Sequence, residues 1–183
     1  MHRLFAFVAA LALAASAGAQ QKLVPAQSEI NFTVKQMGVP LDGKFSKFDA
    51  QVAFDSKKPE TGKIDFSIDL GSAAVGDADT TKELKKPEWF NHAKFPTATF
   101  SSTSIKPTGP GKLEVMGTLS IKGNARPVVV PVTLTPGPSG ATMAQGSFTI
   151  KRVDFKIGDG DWADVSIVAN EVTVKFKLAL TGI

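Results

Sequence analysis

Hydrophobic and polar residues alternate along most of the chain with a period of two, which is typical of β-strands that bury one face. The first clear segment places Ile30, Phe32 and Val34 between polar residues, and the last runs from Val172 to Leu180. Between them the same alternation covers residues 48–54, 64–70, 97–106, 113–121, 128–134 and 144–150. The pattern therefore predicts eight strands.

Short segments rich in Pro, Gly, Asp and Asn separate these strands, as at residues 55–62, 106–111, 123–124 and 136–140. Because links this short join neighbouring strands, we expect antiparallel pairing. Strands that bury one face must either pack on a second sheet or close on themselves, and closure removes the exposed edges. We expect an all-β chain folded as an eight-stranded antiparallel barrel in one domain, with a two-sheet sandwich as the alternative.

Residues 72–91 lose the alternation and predict a short helical insert between strands three and four. Thr80 and Glu83 have the spacing of a capping box at a helix start. Pro87 could open a second helical turn that carries Trp89 and Phe90. We expect the insert at the barrel mouth, either as a lid or rim or simply fastened there by the two aromatic residues.

The N-terminus has the three regions of a secretory signal peptide. A basic start at Arg3 precedes an uncharged apolar run from Leu4 to Ala15, and small residues follow at Ala17 and Ala19. The run is shorter than the roughly 20 residues that a membrane span needs. We expect residues 1–19 to be removed and residues 20–183 to form the exported domain. The absence of cysteine fits a bacterial periplasm better than a disulfide-rich extracellular space.

Composition excludes several kinds of chemistry. The formal net charge is +4 and the lysines are scattered singly, so no nucleic-acid partner is expected. The absence of cysteine removes thiol nucleophiles, and His92, the one histidine after the signal peptide, cannot form a multi-histidine metal site. Asp159, Asp161 and Asp164 do not fit a calcium loop, because Ala163 takes a ligand position. We expect no catalytic residue, no metal and no cofactor.

Several motifs then occur in a recognisable order: SEINF at 28–32, GKFSKF at 43–48, WFN at 89–91, FPTATFSST at 95–103, GTLSIKG at 117–123, RVDFKIG at 152–158 and DWAD at 161–164. In this order the chain resembles the YceI-like family, also called polyisoprenoid-binding domains. The resemblance covers nearly all of the chain after the signal peptide. One departure is Lys156, where many relatives have glycine.

The resemblance implies a lipocalin-like barrel in the periplasm that holds an isoprenoid lipid or a quinone-like amphiphile. It also implies two candidate partners, a membrane cytochrome of the b561 type and a second copy of the chain in a homodimer. The chain contains 13 Phe, 2 Trp and no Tyr, which suits a dry interior. An eight-stranded barrel lies at the limit between a packed core and room for one small ligand.

The residues expected to line this interior are the inward aromatic and aliphatic ones, Phe32, Phe48, Phe54, Phe66, Ile68, Phe100, Phe148 and Phe176, with Trp89, Phe90, Phe155 and Trp162 near the mouth. Arg152 and Asp154 would share one side of a regular strand, where they either bind a ligand headgroup or pair with each other. Asn91 and His92 are further headgroup candidates.

These features together indicate a periplasmic, non-enzymatic binding or carrier protein for a polyisoprenoid or other long-chain amphiphilic lipid. The alternative is an interaction module that docks on a b561-type cytochrome or another envelope partner and needs no ligand.

Overall fold

The computed structural model describes residues 21–183, so the predicted signal peptide and its cleavage site lie outside the described residues. No helix in residues 21–183 is long and apolar enough to cross a bilayer. The strands are β1 Lys22–Leu23, β2 Glu29–Gln36, β3 Val39–Phe45, β4 Phe48–Ala53, β5 Lys63–Asp69, β6 Ala73–Val75, β7 Thr97–Gly109, β8 Lys112–Ile121, β9 Asn124–Pro136, β10 Thr142–Lys151 and β11 Val168–Thr181, and the helix α1 is Ala78–Glu83.

All strand pairs are antiparallel, and the sheet runs in the order β4-β5-β7-β8-β9-β10-β11-β2-β3-β6. Two bent strands close the sheet into a barrel. β3 continues into β4 and β5 continues into β6, each after a short corner, and the two bent strands pair with each other. The two corners are joined by a hydrogen bond from the Asp69 N–H to the Lys47 carbonyl at 3.0 Å. Because β3 also pairs with β2, the wall is continuous around the axis and the expected barrel is confirmed.

The far end of the barrel is completed by the short strand β1. It pairs with the end of β11, with Leu23 opposite Leu180. The Gln21 side chain exchanges two hydrogen bonds with the backbone of Phe54, just after β4. Residues 21–23 therefore connect β11 to β4 at this end of the barrel, which β2 does not reach.

The eight predicted strands correspond to β2, β4, β5 and β7–β11, and the prediction missed β1, β3 and β6. β3 was missed because Pro40 and Gly43 interrupt its alternation. Gly43 has a structural reason, since a Cβ on it would overlap the ring of Phe32, its partner on β2. Counting each bent strand once and leaving out β1 restores the expected eight.

The helical insert lies where it was expected, but its start was predicted wrongly. The N-cap is Asp77, whose carboxylate accepts the Thr80 N–H at 2.9 Å, so Thr80 lies within the helix. The Thr81 hydroxyl is instead bonded to both backbone groups of Val75, at 3.0 and 2.9 Å. The following residues form turns, and no second helix opens at Pro87.

The core lies inside the barrel and forms two main clusters. One is buried beneath α1 and includes Phe32, Leu70 and Phe155. The other lies toward the chain termini and includes Phe54 and Ile105. Partly buried side chains such as those of β11 pack against both clusters, and the space between them is not filled.

Candidate ligand cavity

The hollow inside the barrel consists of two cavities that share part of their lining. The inner cavity, toward the chain termini, has a volume of about 150 Å³, and the outer cavity, under α1, about 390 Å³. The side chains that line both are Ile30, Ile68, Leu119, Phe148 and Val174. These shared residues form a waist between the two parts.

The inner cavity is apolar. All of its lining residues in β2, β4, β5 and β7–β11 are Ala, Val, Leu, Ile or Phe, and Phe54 and Ile183 also border it. Its walls therefore offer a ligand no hydrogen-bond partner and only apolar surface. A polar group placed there would lose its hydrogen bonds to water without replacement.

Polar residues enter the wall only in the outer cavity, where the buried Arg152 and four residues beside the insert border it. Gln36 lies at the end of β2, and Asp79, Thr80 and Glu83 lie on α1. Asp79 is exposed, so the cavity opens to solvent between α1 and the β2–β3 hairpin. The two tryptophans of the chain meet at this opening, with the Trp89 and Trp162 ring centroids 5.5 Å apart.

Three inward phenylalanines are seated on glycines of the neighbouring strand. The pairs are Phe32 with Gly43, Phe100 with Gly117 and Phe176 with Gly146. A Cβ on Gly117 would lie 2.5 Å from the Phe100 ring, so the ring occupies the space that a larger residue would need. Because these rings lie against the wall and not across the lumen, the barrel keeps a hollow although it is rich in phenylalanine.

Arg152 is one of two buried cations that fix the loops at the mouth. Its side chain is 1% exposed, and its guanidinium donates to the carbonyls of Ile157, Gly158, Asp164, Val168 and Ala169 at 2.6–3.5 Å. The predicted pairing with Asp154 is wrong: residues 152–155 form a 3-10 turn and not a strand, and Asp154 is exposed. Burial lowers the pKa of Arg152, but guanidinium groups stay protonated in proteins.

Lys122 is the second buried cation, although its sequence context indicated a scattered surface lysine. Its ammonium donates to the Lys156 carbonyl at 2.6 Å, the Glu88 carbonyl at 3.3 Å and the Asp159 carboxylate at 3.2 Å. The β8–β9 turn is thereby tied to the insert and to the loop after β10. Arg152 borders the outer cavity and Lys122 does not, and both cations bind groups of the protein itself.

Comparison with known proteins agrees with this architecture. A family model described as a YceI-like domain matches residues 21–180. The chain belongs to the YceI-like family. It is 33% identical over 162 residues to Protein YceI of Salmonella agona, covering 84% of each chain.

Two solved structures share the fold of this chain. BcnA of Burkholderia cenocepacia is 41% identical and superimposes with a TM-score of 0.82, covering 86% of this chain and 98% of that one. A polyisoprenoid binding domain from Saccharophagus degradans is 17% identical with a TM-score of 0.70, covering 88% and 97%. The resemblance read from the ordered motifs is therefore confirmed.

Most residues predicted to line the interior of this YceI-like barrel do border the hollow. They are Phe54, Phe66, Phe100 and Phe176 in the inner part, Ile68 and Phe148 at the waist, and Phe32, Trp89, Phe90 and Trp162 in the outer part. Phe48 and Phe155 border neither cavity. Phe48 stacks on Phe66 with ring centroids 5.9 Å apart, and Phe155 is buried beneath the outer cavity wall, 2% exposed.

Of the four headgroup candidates, Arg152 alone borders the outer cavity. Asn91 lies in a turn with φ of 50°. His92 is half-exposed, with its Nε2 3.4 Å from the Asp69 carboxylate. Within residues 21–183 no group of three or more His, Asp or Glu side chains is close enough to hold a metal ion.

Sequence reasoning missed the polar rim of Gln36, Asp79, Thr80 and Glu83. No periodicity distinguishes these residues from other polar residues at the ends of elements. The missed apolar wall residues, such as Leu119 and Val174, did carry a signal, because the alternation already placed them on the inward face.

Proposed function

We propose that this YceI-like chain is a carrier that holds the tail of an isoprenoid lipid or another long-chain amphiphile inside its barrel. The observation that carries the proposal is a pair of adjoining cavities inside the barrel, one lined only by apolar residues and the other carrying polar residues beside the insert. That order of surroundings matches an amphiphile, whose tail gains from burial and whose headgroup needs water. The name of the S. degradans relative, a polyisoprenoid binding domain, supports the same ligand class.

The volumes suggest the length of the tail. Liquid water gives each molecule about 30 Å³, and a methylene group is of similar size. On that scale the inner cavity of about 150 Å³ has room for about 5 chain carbons, and the outer cavity of about 390 Å³ for about 13. This corresponds to three or four isoprene units of five carbons each, about the length of a geranylgeranyl chain.

Burial of such a tail is sufficient for useful affinity without specific polar contacts. Each buried methylene contributes roughly 0.8 kcal/mol. Ten such groups contribute about 8 kcal/mol, against an association cost of about 4 kcal/mol or more. The headgroup would remain at the rim formed by α1 and the two tryptophans. The proposed role is binding without catalysis, and the proposed location is the periplasm, which rests on the signal-peptide pattern of residues 1–19.

The proposal is tested with a defined ligand and a matched pair of variants on β4. Ala50 faces the inner cavity, and Ala53, three residues on, is exposed on the outer face. We expect the wild type to bind geranylgeraniol, with a change in tryptophan fluorescence because both tryptophans lie at the opening. Ala50→Phe should reduce the affinity at least tenfold by filling the inner cavity, and Ala53→Phe should leave it unchanged.

Folding of both variants is checked by far-UV circular dichroism, and lipid extracted from the freshly purified protein is identified by mass spectrometry. Equal binding by both variants, or a wild type that neither carries nor takes up a prenyl chain, would contradict the carrier. The same pair separates the carrier from the alternative docking module, which would keep its cellular role when the interior is filled.

A further inference from the structure

Exposed apolar side chains are concentrated at one place on the barrel. Of the six large hydrophobic residues exposed in residues 21–183, four lie together: Met37, Val39, Val165 and Ile167, with exposed fractions of 74%, 66%, 54% and 37%. The first two belong to the β2–β3 hairpin, Met37 in its turn and Val39 at the start of β3, and the others to the tight turn before β11. The Met37 N–H donates to the Ile167 carbonyl at 2.7 Å, so the two turns form one surface. We call these four residues the apolar tip.

The backbone holds Met37 outward at some cost. Gln36 pairs with Val39, so Met37 and Gly38 form a two-residue hairpin turn, with φ of 47° and 80°. Such turns favour Asn-Gly, because asparagine tolerates the left-handed region and most larger residues do not. A methionine in this position is less favourable than an asparagine, both because of the left-handed backbone and because its apolar side chain is exposed to water. Its presence is therefore better explained by a contact that the tip makes than by folding.

The apolar tip also adjoins the opening of the hollow. Met37 follows Gln36, and Ile167 precedes Val168, and both of these neighbours line the outer cavity. Val39 is two residues from Leu41, which lines it as well. The apolar tip therefore lies next to the outer cavity, beside the rim where a lipid tail would enter or leave.

We propose that the apolar tip inserts into the surface of a lipid bilayer, so that the mouth faces the membrane when a lipid is exchanged. The proposal rests on the proposed lipid carrier for its purpose, but its test does not require a cavity ligand. Charges near the tip have both signs, with Lys35 and Asp164 both exposed. Insertion should therefore depend on apolar burial and not on anionic headgroups, and it should be insensitive to salt.

The experiment is flotation of the protein with phosphatidylcholine vesicles. The variant Met37→Asn/Val39→Thr/Ile167→Thr removes the apolar groups while keeping residues suited to each position: Asn-Gly in the turn and β-branched residues elsewhere. The matched control is Val129→Thr, which changes an exposed valine (51%) on the outer wall of β9. We expect the triple variant to lose about tenfold or more of its vesicle partitioning, and the control to keep it, at 50 mM and at 500 mM salt alike.

Geranylgeraniol binding by the same proteins is measured without vesicles and should be unchanged in the triple variant. If the wild type does not bind geranylgeraniol, that result contradicts the proposed carrier but not the membrane proposal. The membrane proposal is overturned if the wild type does not float with phosphatidylcholine vesicles, if it floats only with anionic vesicles at low salt, or if the triple variant floats as well as the control.

Discussion

The Phe32 ring lies against Gly43, and this contact leads to a specific prediction for Gly43→Ala. The two residues are opposite each other on β2 and β3, and the added methyl group would overlap the Phe32 ring and lie 2.5 Å from Cγ1 of Val75. All of the nearest atoms belong to side chains, so the ring can move, and its free direction is into the outer cavity that it already borders. The substitution should therefore both destabilise the fold and narrow the mouth.

The magnitude follows from two opposing effects. Overpacking a well-packed site by one methyl group costs about 1–3 kcal/mol. Gly43 does not have a positive φ, so alanine also restricts the unfolded chain and returns about 0.4–1 kcal/mol. The net loss in the free energy of unfolding should be roughly 1–2 kcal/mol. With a urea m-value of about 2 kcal/mol/M, the midpoint should fall by about 0.5–1 M.

Urea denaturation of four proteins tests the cause: wild type, Gly43→Ala, Phe32→Leu and the double variant. If the ring is what the methyl group strikes, Gly43→Ala should cost less than about 0.5 kcal/mol in the Phe32→Leu background, a coupling of at least about 0.5 kcal/mol. Additive losses would refute the reasoning, as would a Gly43→Ala protein as stable as the wild type. Weaker geranylgeraniol binding by Gly43→Ala alone is the second expected result.

Three further predictions concern the mouth. Lys156 has φ of 55°, so Lys156→Gly should raise the free energy of unfolding by up to about 1 kcal/mol in urea denaturation. Arg152→Met should lower it by about 3 kcal/mol or more, because the buried carbonyls of Ile157, Gly158 and Val168 lose a donor, whereas Asp154→Asn should change it by less than about 0.5 kcal/mol. Hydrogen bonds from Thr80 and the neighbouring backbone N–H hold the pKa of Asp77 below its ordinary value, so the cap stabilises α1 above about pH 4 and is lost as pH falls through the lowered pKa. Amide hydrogen exchange at Thr80 should accelerate in that acidic range relative to an Asp77→Asn control.

The barrel itself was predictable because its determinants are local. Alternation identifies a strand from its own residues, and turn residues mark where it ends, so β2, β4, β5 and β7–β11 were all found. The three missed strands have no alternation of their own: β1 and β6 are two and three residues long, and β3 contains Pro40 and Gly43. Each is a strand because of the partner beside it.

The side chains at the mouth were harder to predict, because their environment depends on distant segments. Arg152 and Lys122 have the sequence context of ordinary surface residues, and the carbonyls they bind come from up to 34 positions away along the chain. Many members of the family that the chain resembles have glycine at the position of Lys156. The left-handed backbone found there gives the physical reason for their glycine. The resemblance supplied a fact about this turn that the alternation of polar and apolar residues did not contain.

Whether the interior is a packed core or a hollow depends on the register between strands, which composition does not specify. An inward phenylalanine opposite a large residue must project into the lumen, whereas one opposite a glycine can lie against the wall. Phe32 and Phe176 each have a glycine as their cross-strand partner, so a shift of either register by one residue would remove the seat. The same number of aromatic residues could therefore fill a barrel or line one. In this chain the glycines opposite them favour the lining, and it is this arrangement that leaves the two cavities open.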